Sequence, residues 1–160
     1  NMKKKLTPNL TLFYTSNFPK KFNYNSTKKY SVIVGIGGNI GNTKNLFDKL
    51  ILCLKKDARF TLLMTSPLLR NPPFGFLEQN DFLNGIIALK TNLCPNSFLK
   101  AMQRYENKFG RKRSFQDAPR TLDIDIIFFD DKKINTENLI IPHKNWASRE
   151  SVIIPLKRMK

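Results

Sequence analysis

Asp123 and Asp125, two positions apart, are the pair in this chain best suited to divalent-cation chemistry. On a strand, residues i and i+2 share a face and lie roughly 6.5 Å apart. Both carboxylates then point one way, while Leu122, Ile124 and Ile126 point into a core. Two carboxylates on one face repel unless a cation lies between them. Oxygen-only donors at that spacing suit Mg2+, or a pair of ions about 3.5–4 Å apart. An isolated pair of this kind is better explained as the solvated face of an edge strand. Its surroundings favour the metal: Lys100, Arg104, Lys108, Arg111, Lys112, Arg113 and Arg120 precede it, the last four in or beside the loop that enters the strand. Guanidinium forks grip phosphate oxygens bidentately. Carboxylates for a metal beside an arginine-rich loop are what a nucleoside triphosphate requires.

Three further features bear on a binding site. Asn84 sits in an otherwise apolar or small run, Phe82-Leu83-Asn84-Gly85-Ile86-Ile87. A buried carboxamide needs partners, which are either backbone groups or the donor/acceptor edge of a heterocycle. Phe82 shares its face and is placed to stack on such a ring, and Phe74, carried by a Pro-Pro loop, offers another wall. His143 is the single histidine, in Ile141-Pro142-His143, six residues before Arg149. Beside a phosphate site it becomes a candidate donor. Gly37-Gly38-Asn39-Ile40-Gly41 lies between a strand and a helix but lacks the Gly-Lys-Ser/Thr ending of a Walker loop, so a tight turn accounts for it.

The elements that must position these residues follow from pattern. A β-branched run predicts a strand over 31–36, with 37–42 as a loop. Leu46, Phe47, Leu50, Ile51 and Leu54 form one helical stripe over 43–56, capped by Asn42 or Thr43. Strands are predicted over 60–69 and 82–90, separated by a loop forced by Pro72 and Pro73. Phe98, Met102, Tyr105 and Phe109 mark a helix over 95–109 that stops at Gly110. A strand over 121–129 turns back at 130–132, and a short element ends the chain around 152–156. The order is β-α-β-β-α-β, an α+β fold with a ferredoxin-like core: an antiparallel sheet with helices packed on it.

The 160 residues suffice for one domain, 31–160, after a basic Asn/Lys-rich leader, 1–30, that is either an arm or an edge strand over about 10–14. The net charge of +16 attracts polyanions without choosing among them. Cys53 and Cys94 have no metal-ligand spacing and read as buried free thiols of a reducing compartment. No run approaches the roughly 20 apolar residues of a membrane span, and no signal peptide is recognisable, so the expected location is cytoplasmic. An RNA-recognition strand would carry exposed aromatics in a basic Gly-Phe motif. None occurs, so no nucleic-acid partner is expected.

These residues resemble the 6-hydroxymethyl-7,8-dihydropterin pyrophosphokinase family over about 32–156. The carriers are Gly38-Asn39-Ile40-Gly41, Asn71-Pro72-Pro73-Phe74-Gly75, Asp81-Phe82-Leu83-Asn84, Gln103-Arg104-Tyr105-Glu106, Gly110-Arg111-Lys112-Arg113, Ile141-Pro142-His143 and, most specifically, Pro119-Arg120-Thr121-Leu122-Asp123-Ile124-Asp125-Ile126. The resemblance implies transfer of pyrophosphate from ATP to the hydroxymethyl group of the dihydropterin, releasing AMP, by a monomer. Asp123 and Asp125 would hold two Mg2+ ions. Arg111, Arg113, Arg120, His143 and Arg149 would contact phosphates, with Arg111 and Arg113 on a mobile catalytic loop. Gln103 and Glu106 would line the nucleotide side, and Ile126 would offer its backbone to adenine. Asn84 would bond the pterin, Phe82 would stack on it where many relatives have Tyr, and Pro72 and Phe74 would border it. The chain departs from the family in having Asn71 for Thr, Asp117-Ala118 for Trp-Gly in a shorter loop, and Ser151 where an aromatic often sandwiches the pterin. Trp146 or Phe115 are the candidate substitutes for that ring. A degenerate homologue kept for binding is the rival reading these departures leave.

Overall fold

Alternation along the strands sorts apolar side chains to one face of a sheet, and two amphipathic helices cover that face. The structure is a computed structural model that describes residues 2–22, 25–110 and 115–159. Its elements are β1 (Met2–Thr7), β2 (Leu10–Tyr14), β3 (Lys20–Lys21), β4 (Tyr30–Gly38), α1 (Thr43–Lys56), β5 (Phe60–Thr65), β6 (Leu68–Asn71), β7 (Phe82–Thr91), α2 (Pro95–Lys108), β8 (Asp123–Phe129), β9 (Ile134–Asn135), β10 (Ile140–Ile141) and α3 (Glu150–Lys157). The main sheet runs β1-β2-β6-β7-β4-β8, with β5 also on β7 and β3 on β5. All of these pairings are antiparallel. This is a mixed α+β fold, an antiparallel sheet with helices packed on it.

Register explains the two faces. Val34 stands opposite Ile87 on one side and Ile126 on the other. All three join Val32, Ile36, Leu122 and Ile124 in the core with Phe47, Leu50, Ile51 and Leu54 of α1 and Phe98, Ala101 and Met102 of α2. Phe98 meets Phe129 and Phe60 edge-on, at 5.7 and 5.6 Å between ring centroids, a favoured aromatic geometry. Asn42 caps α1, its side chain accepting the Asn45 backbone N–H. Gly110, with φ of +80°, follows the end of α2. On the opposite face α3 packs Val152 against Ile86 and Ile127, with Trp146 and Phe128 alongside.

Several expectations from pattern need correction. Gly37 and Gly38 belong to β4 rather than to a loop, Gly37 pairing with both Asn84 and Asp123. The strand expected over 60–69 breaks at Ser66-Pro67. Pro67 has no ladder donor, and the Ser66 hydroxyl accepts the Ile86 N–H instead. β8 begins at Asp123, two residues late. The thiols are not buried: Cys94 is exposed and Cys53 half-buried. In the leader, β1 and β2 form a hairpin whose inner strand lies on β6, and Leu10 and Leu12 are buried with Leu69 and beside Ile154 of α3.

Candidate active site

The face away from α1 and α2 is open because β4 runs through its middle carrying glycine. Across the strands, Asn84, Gly37 and Asp123 form one row, and Ile86, Gly35 and Asp125 the next. A side chain at 37 would overlap Asn84 Oδ1, and one at 38 would overlap the Thr121 carbonyl. Only glycine leaves a trough between the carboxamide and the carboxylates. The trough is a pocket of about 360 Å³. β7 supplies Phe82 and Asn84, the loop after β6 supplies Pro72 and Phe74, and α3 contributes Ser151 and Val152.

At one end lie the aspartates. Asp123 is largely buried and paired with Arg120 at 2.6 Å. The remaining Arg120 nitrogens donate to the Ala118 carbonyl, and its guanidinium stands 5.3 Å over the Phe82 ring. Asp125 is 51% exposed, so its oxygens reach solvent. His143 Nε2 lies 4.0 Å from Asp125 Oδ2. The His143 Nδ1 accepts the Asn145 backbone N–H, which puts the neutral ring's proton on Nε2, facing Asp125. Burial holds the imidazole below its ordinary pKa; the nearby Asp125 opposes that shift and Arg149 adds to it. Arg149 stacks on Phe74 at 5.0 Å. Its Nε is buried with no hydrogen-bond partner among the described residues. Among the described residues no cluster of three or more His, Cys, Asp or Glu forms a ready-made metal cage. Asp125, open to solvent, and the more buried Asp123 on the same face fit Mg2+, which keeps water ligands and takes phosphate oxygens.

Behind Asp125 and around the last strand of the sheet is a second cavity of about 270 Å³, bordered by Ile126, His143, Leu99, Leu139 and Lys144. The Ile126 side chain is buried in the core. The neighbouring strand groups are engaged: Ile124 N–H donates to Glu106, and the Ile127 carbonyl accepts from His143 N–H. Glu106 is therefore turned inward, its carboxylate fastening β8 to α2, and it lines neither cavity. Gln103 is exposed on α2 and lines neither cavity. Arg111 and Arg113 lie outside the described residues.

At the other end Asn84 Nδ2 donates to Asn71 Oδ1 at 2.6 Å. Phe82 sits opposite Asn71 on the same face. Phe74 is 67% exposed. Trp146 packs on Phe128 and Phe115 on Phe76; neither ring lines the pocket, whereas Phe74 does.

Pattern reading passed over Asn39 and Gln79, which join three loops around the trough. Asn39 is 6% exposed. It donates to Gln79 Oε1 and the Asn80 carbonyl and accepts the Arg120 N–H. Gln79 donates in turn to the Phe76 and Asp117 carbonyls. A carboxamide directly after a strand and before a capped helix was the one available signal.

Sequence comparison supplies the class, a pyrophosphate-transferring enzyme. The model of the family 7,8-dihydro-6-hydroxymethylpterin-pyrophosphokinase matches residues 33–160. The 2-amino-4-hydroxy-6-hydroxymethyldihydropteridine pyrophosphokinase of Campylobacter jejuni is 45% identical over 128 residues, 80% of this chain and 82% of the relative. The enzyme of the same name from Helicobacter pylori is 38% identical over 146 residues (90% and 87%), and that from Bacillus subtilis 35% over 123 (77% and 74%). The chain belongs to the 7,8-dihydro-6-hydroxymethylpterin-pyrophosphokinase family, and its activity is ATP-dependent transfer of pyrophosphate to the pterin in folate synthesis.

Proposed function

We propose that the trough holds the dihydropterin at its Asn84 end and the triphosphate of ATP at its aspartate end, with the reaction between them over Gly37. The row Asn84–Gly37–Asp123 carries this reading. Two strand spacings, about 10 Å, separate the outer residues, room for a bicyclic ring whose arm points at the metal end.

Asp123 and Asp125 would hold Mg2+, two ions in the full complex. Bound there, the metal neutralises the phosphate oxygens and lowers the pKa of the acceptor hydroxyl. Arg120, paired with Asp123, adds charge towards the β-phosphate. Arg149 offers its Nε, and His143 its Nε2 proton, to phosphate oxygens. Arg111 and Arg113 would add charge to the triphosphate and help exclude water. The backbone of Ile126, in the second cavity, would read the adenine edge, with Gln103 and Glu106 on the α2 side of the nucleotide. Phe82 stacks on the pterin, Asn84 bonds its edge, and Pro72 and Phe74 bound it; Phe74 takes the place that Ser151 leaves without a ring.

The bond from the hydroxymethyl oxygen to the β-phosphorus forms as that from the β-phosphorus to the α,β-bridging oxygen breaks. AMP departs, and the hydroxyl proton passes to solvent. In-line placement and charge neutralisation do this work without a covalent intermediate.

The sheet order β8-β4-β7-β5 with α1 and α2 on one face supports a ferredoxin-like βαββαβ core over residues 31–160. The leader 1–30 is then an added edge that braces β6 and α3. Action as a monomer is proposed from the family resemblance. Among the described residues no helix is long and apolar enough to cross a membrane, and dependence on ATP supports a cytoplasmic site of action. The direct test is AMP release from Mg-ATP with the hydroxymethyldihydropterin. Stoichiometric AMP is expected, and none from folded protein would overturn the reading.

A further inference from the structure

A carboxamide can present either end to a ligand, and which end faces substrate decides what is recognised. The contacts of Asn84 settle its orientation through a second carboxamide. The Pro72 carbonyl is purely an acceptor, so the group 3.0 Å from it on Asn71 must be the amide nitrogen. Asn71 therefore turns its oxygen to Asn84, which must answer with its own amide nitrogen, at 2.6 Å. The Asn84 oxygen is left on the far side, above Gly37, where only the absence of a side chain admits it. Asn71 and Asn84 both line the pocket, as does Gly37.

We infer that Asn71 is a positioning residue that fixes the polarity of Asn84 and so selects substrates by the tautomeric pattern of their ring edge. This rests on the pterin-site reading above. The outward groups of Asn84 are an oxygen that accepts and the second Nδ2 proton, which donates. That pair complements a lactam edge, N–H beside C=O, which a 2-amino-4-hydroxypteridine presents in its oxo tautomer. A 2,4-diaminopteridine presents the reverse, a ring nitrogen that accepts beside an amino group that donates. Matching the reversed pattern requires Asn84 to flip, which would set its oxygen against that of Asn71 and leave two partly buried acceptors facing each other without a donor. The polarity device is thus anchored in the main chain of the loop after β6, away from the reacting atoms.

The experiment compares kcat/KM for 6-hydroxymethyl-7,8-dihydropterin and for its 4-amino analogue, by AMP release, in wild type, Asn71→Leu and Asn71→Asp. The ratio of the two substrates is internal to each folded enzyme and so insensitive to a variant's yield or stability. Wild type is expected to favour the lactam by about 10²-fold or more. Asn71→Leu frees Asn84 to flip and is expected to cut that ratio at least about tenfold, chiefly through KM. Asn71→Asp retains the acceptor facing Asn84, though not the bond to Pro72, and is expected to hold the ratio within about threefold of wild type. An unchanged ratio in Asn71→Leu, or an equal fall in both variants, would overturn the inference while leaving the pterin site intact. No AMP from wild type with the lactam would overturn the site reading itself, and the inference with it.

Discussion

The two ends of the trough are built by opposite means. At the proposed pterin end the polar groups already hold one another: Asn84 is bonded to Asn71 and Asn71 to the Pro72 carbonyl, with Phe82 fixed on a central strand. At the proposed phosphate end, charged groups of both signs are gathered on one face. Asp125 reaches solvent, His143 is half-buried with its pKa lowered mainly by that burial, and Arg149 holds a buried donor with no partner among the described residues. A neutral heterocycle is best recognised by a site rigid before it arrives. A tetra-anionic nucleotide with its metal supplies charges that the site must lack until then. Preorganisation at one end and electrostatic demand at the other suit a reaction that depends on placing a neutral nucleophile against a charged electrophile.

Predictions test that contrast. The largest effect is expected at the phosphate end: Asp125→Ala should lower turnover by about 10³-fold or more, consistent with several kcal/mol of metal-dependent stabilisation. Its Tm should shift little, because the side chain is half exposed and lies on the open face. AMP assays across a Mg2+ series check this; activity recovered at ordinary Mg2+ would break the comparison. Next, Asn84→Ala should raise KM for the pterin roughly 10²-fold, leaving KM for ATP nearly unchanged, since it strands the Asn71 carboxamide as well as losing the ligand's bonds. Equal loss for both substrates would mean that the ends are not separable. Phe82→Ala should raise the pterin KM about tenfold, and Phe82→Tyr should leave it within a few-fold. Steady-state kinetics with each substrate varied read both outcomes.

The smallest effect on catalysis is expected in the scaffold. Asp57, beyond the end of α1, is held at about 2 against an ordinary 3.8, first by hydrogen bonding from Arg59 and also by Tyr105 of α2. A depressed carboxylate pKa contributes stability above the unfolded value and loses it as pH falls through the folded one. Asp57→Asn should therefore lower Tm by a few degrees at pH 7, with a gap that closes between about pH 4 and 2, and should move neither KM. Melting curves across that window, with kinetics at pH 7, measure it. A changed KM would show that the scaffold is not independent of the site.

Legibility in sequence divided along physical lines. Periodic helices were readable because their buried stripes are local, as with Phe47, Leu50, Ile51 and Leu54, and residue type narrowed the cap to Asn42 or Thr43, of which Asn42 is the one used. The sharing of one face by Asp123 and Asp125 followed from strand geometry. What register decides was not readable. Nothing local places Asn71 diagonal to Asn84, or Gly37 between Asn84 and Asp123. Gly37 and Gly38 look like a loop by composition but pair as strand. The bond from the Ile124 N–H to Glu106, a tertiary partner 18 residues away in sequence, was not readable either. Trp146 and Phe115, candidate walls by type, are taken up by Phe128 and Phe76, and the exposed ring in the pocket belongs to Phe74.

The central claim is that the trough aligns a neutral hydroxymethyl group on the β-phosphorus of metal-bound ATP. Product analysis by phosphorus NMR on the wild-type protein, with Mg-ATP and the hydroxymethyldihydropterin, tests it most directly. AMP and the pterin diphosphate in equal amounts are predicted; ADP with a pterin monophosphate, or ATP left unchanged by folded protein, would contradict it.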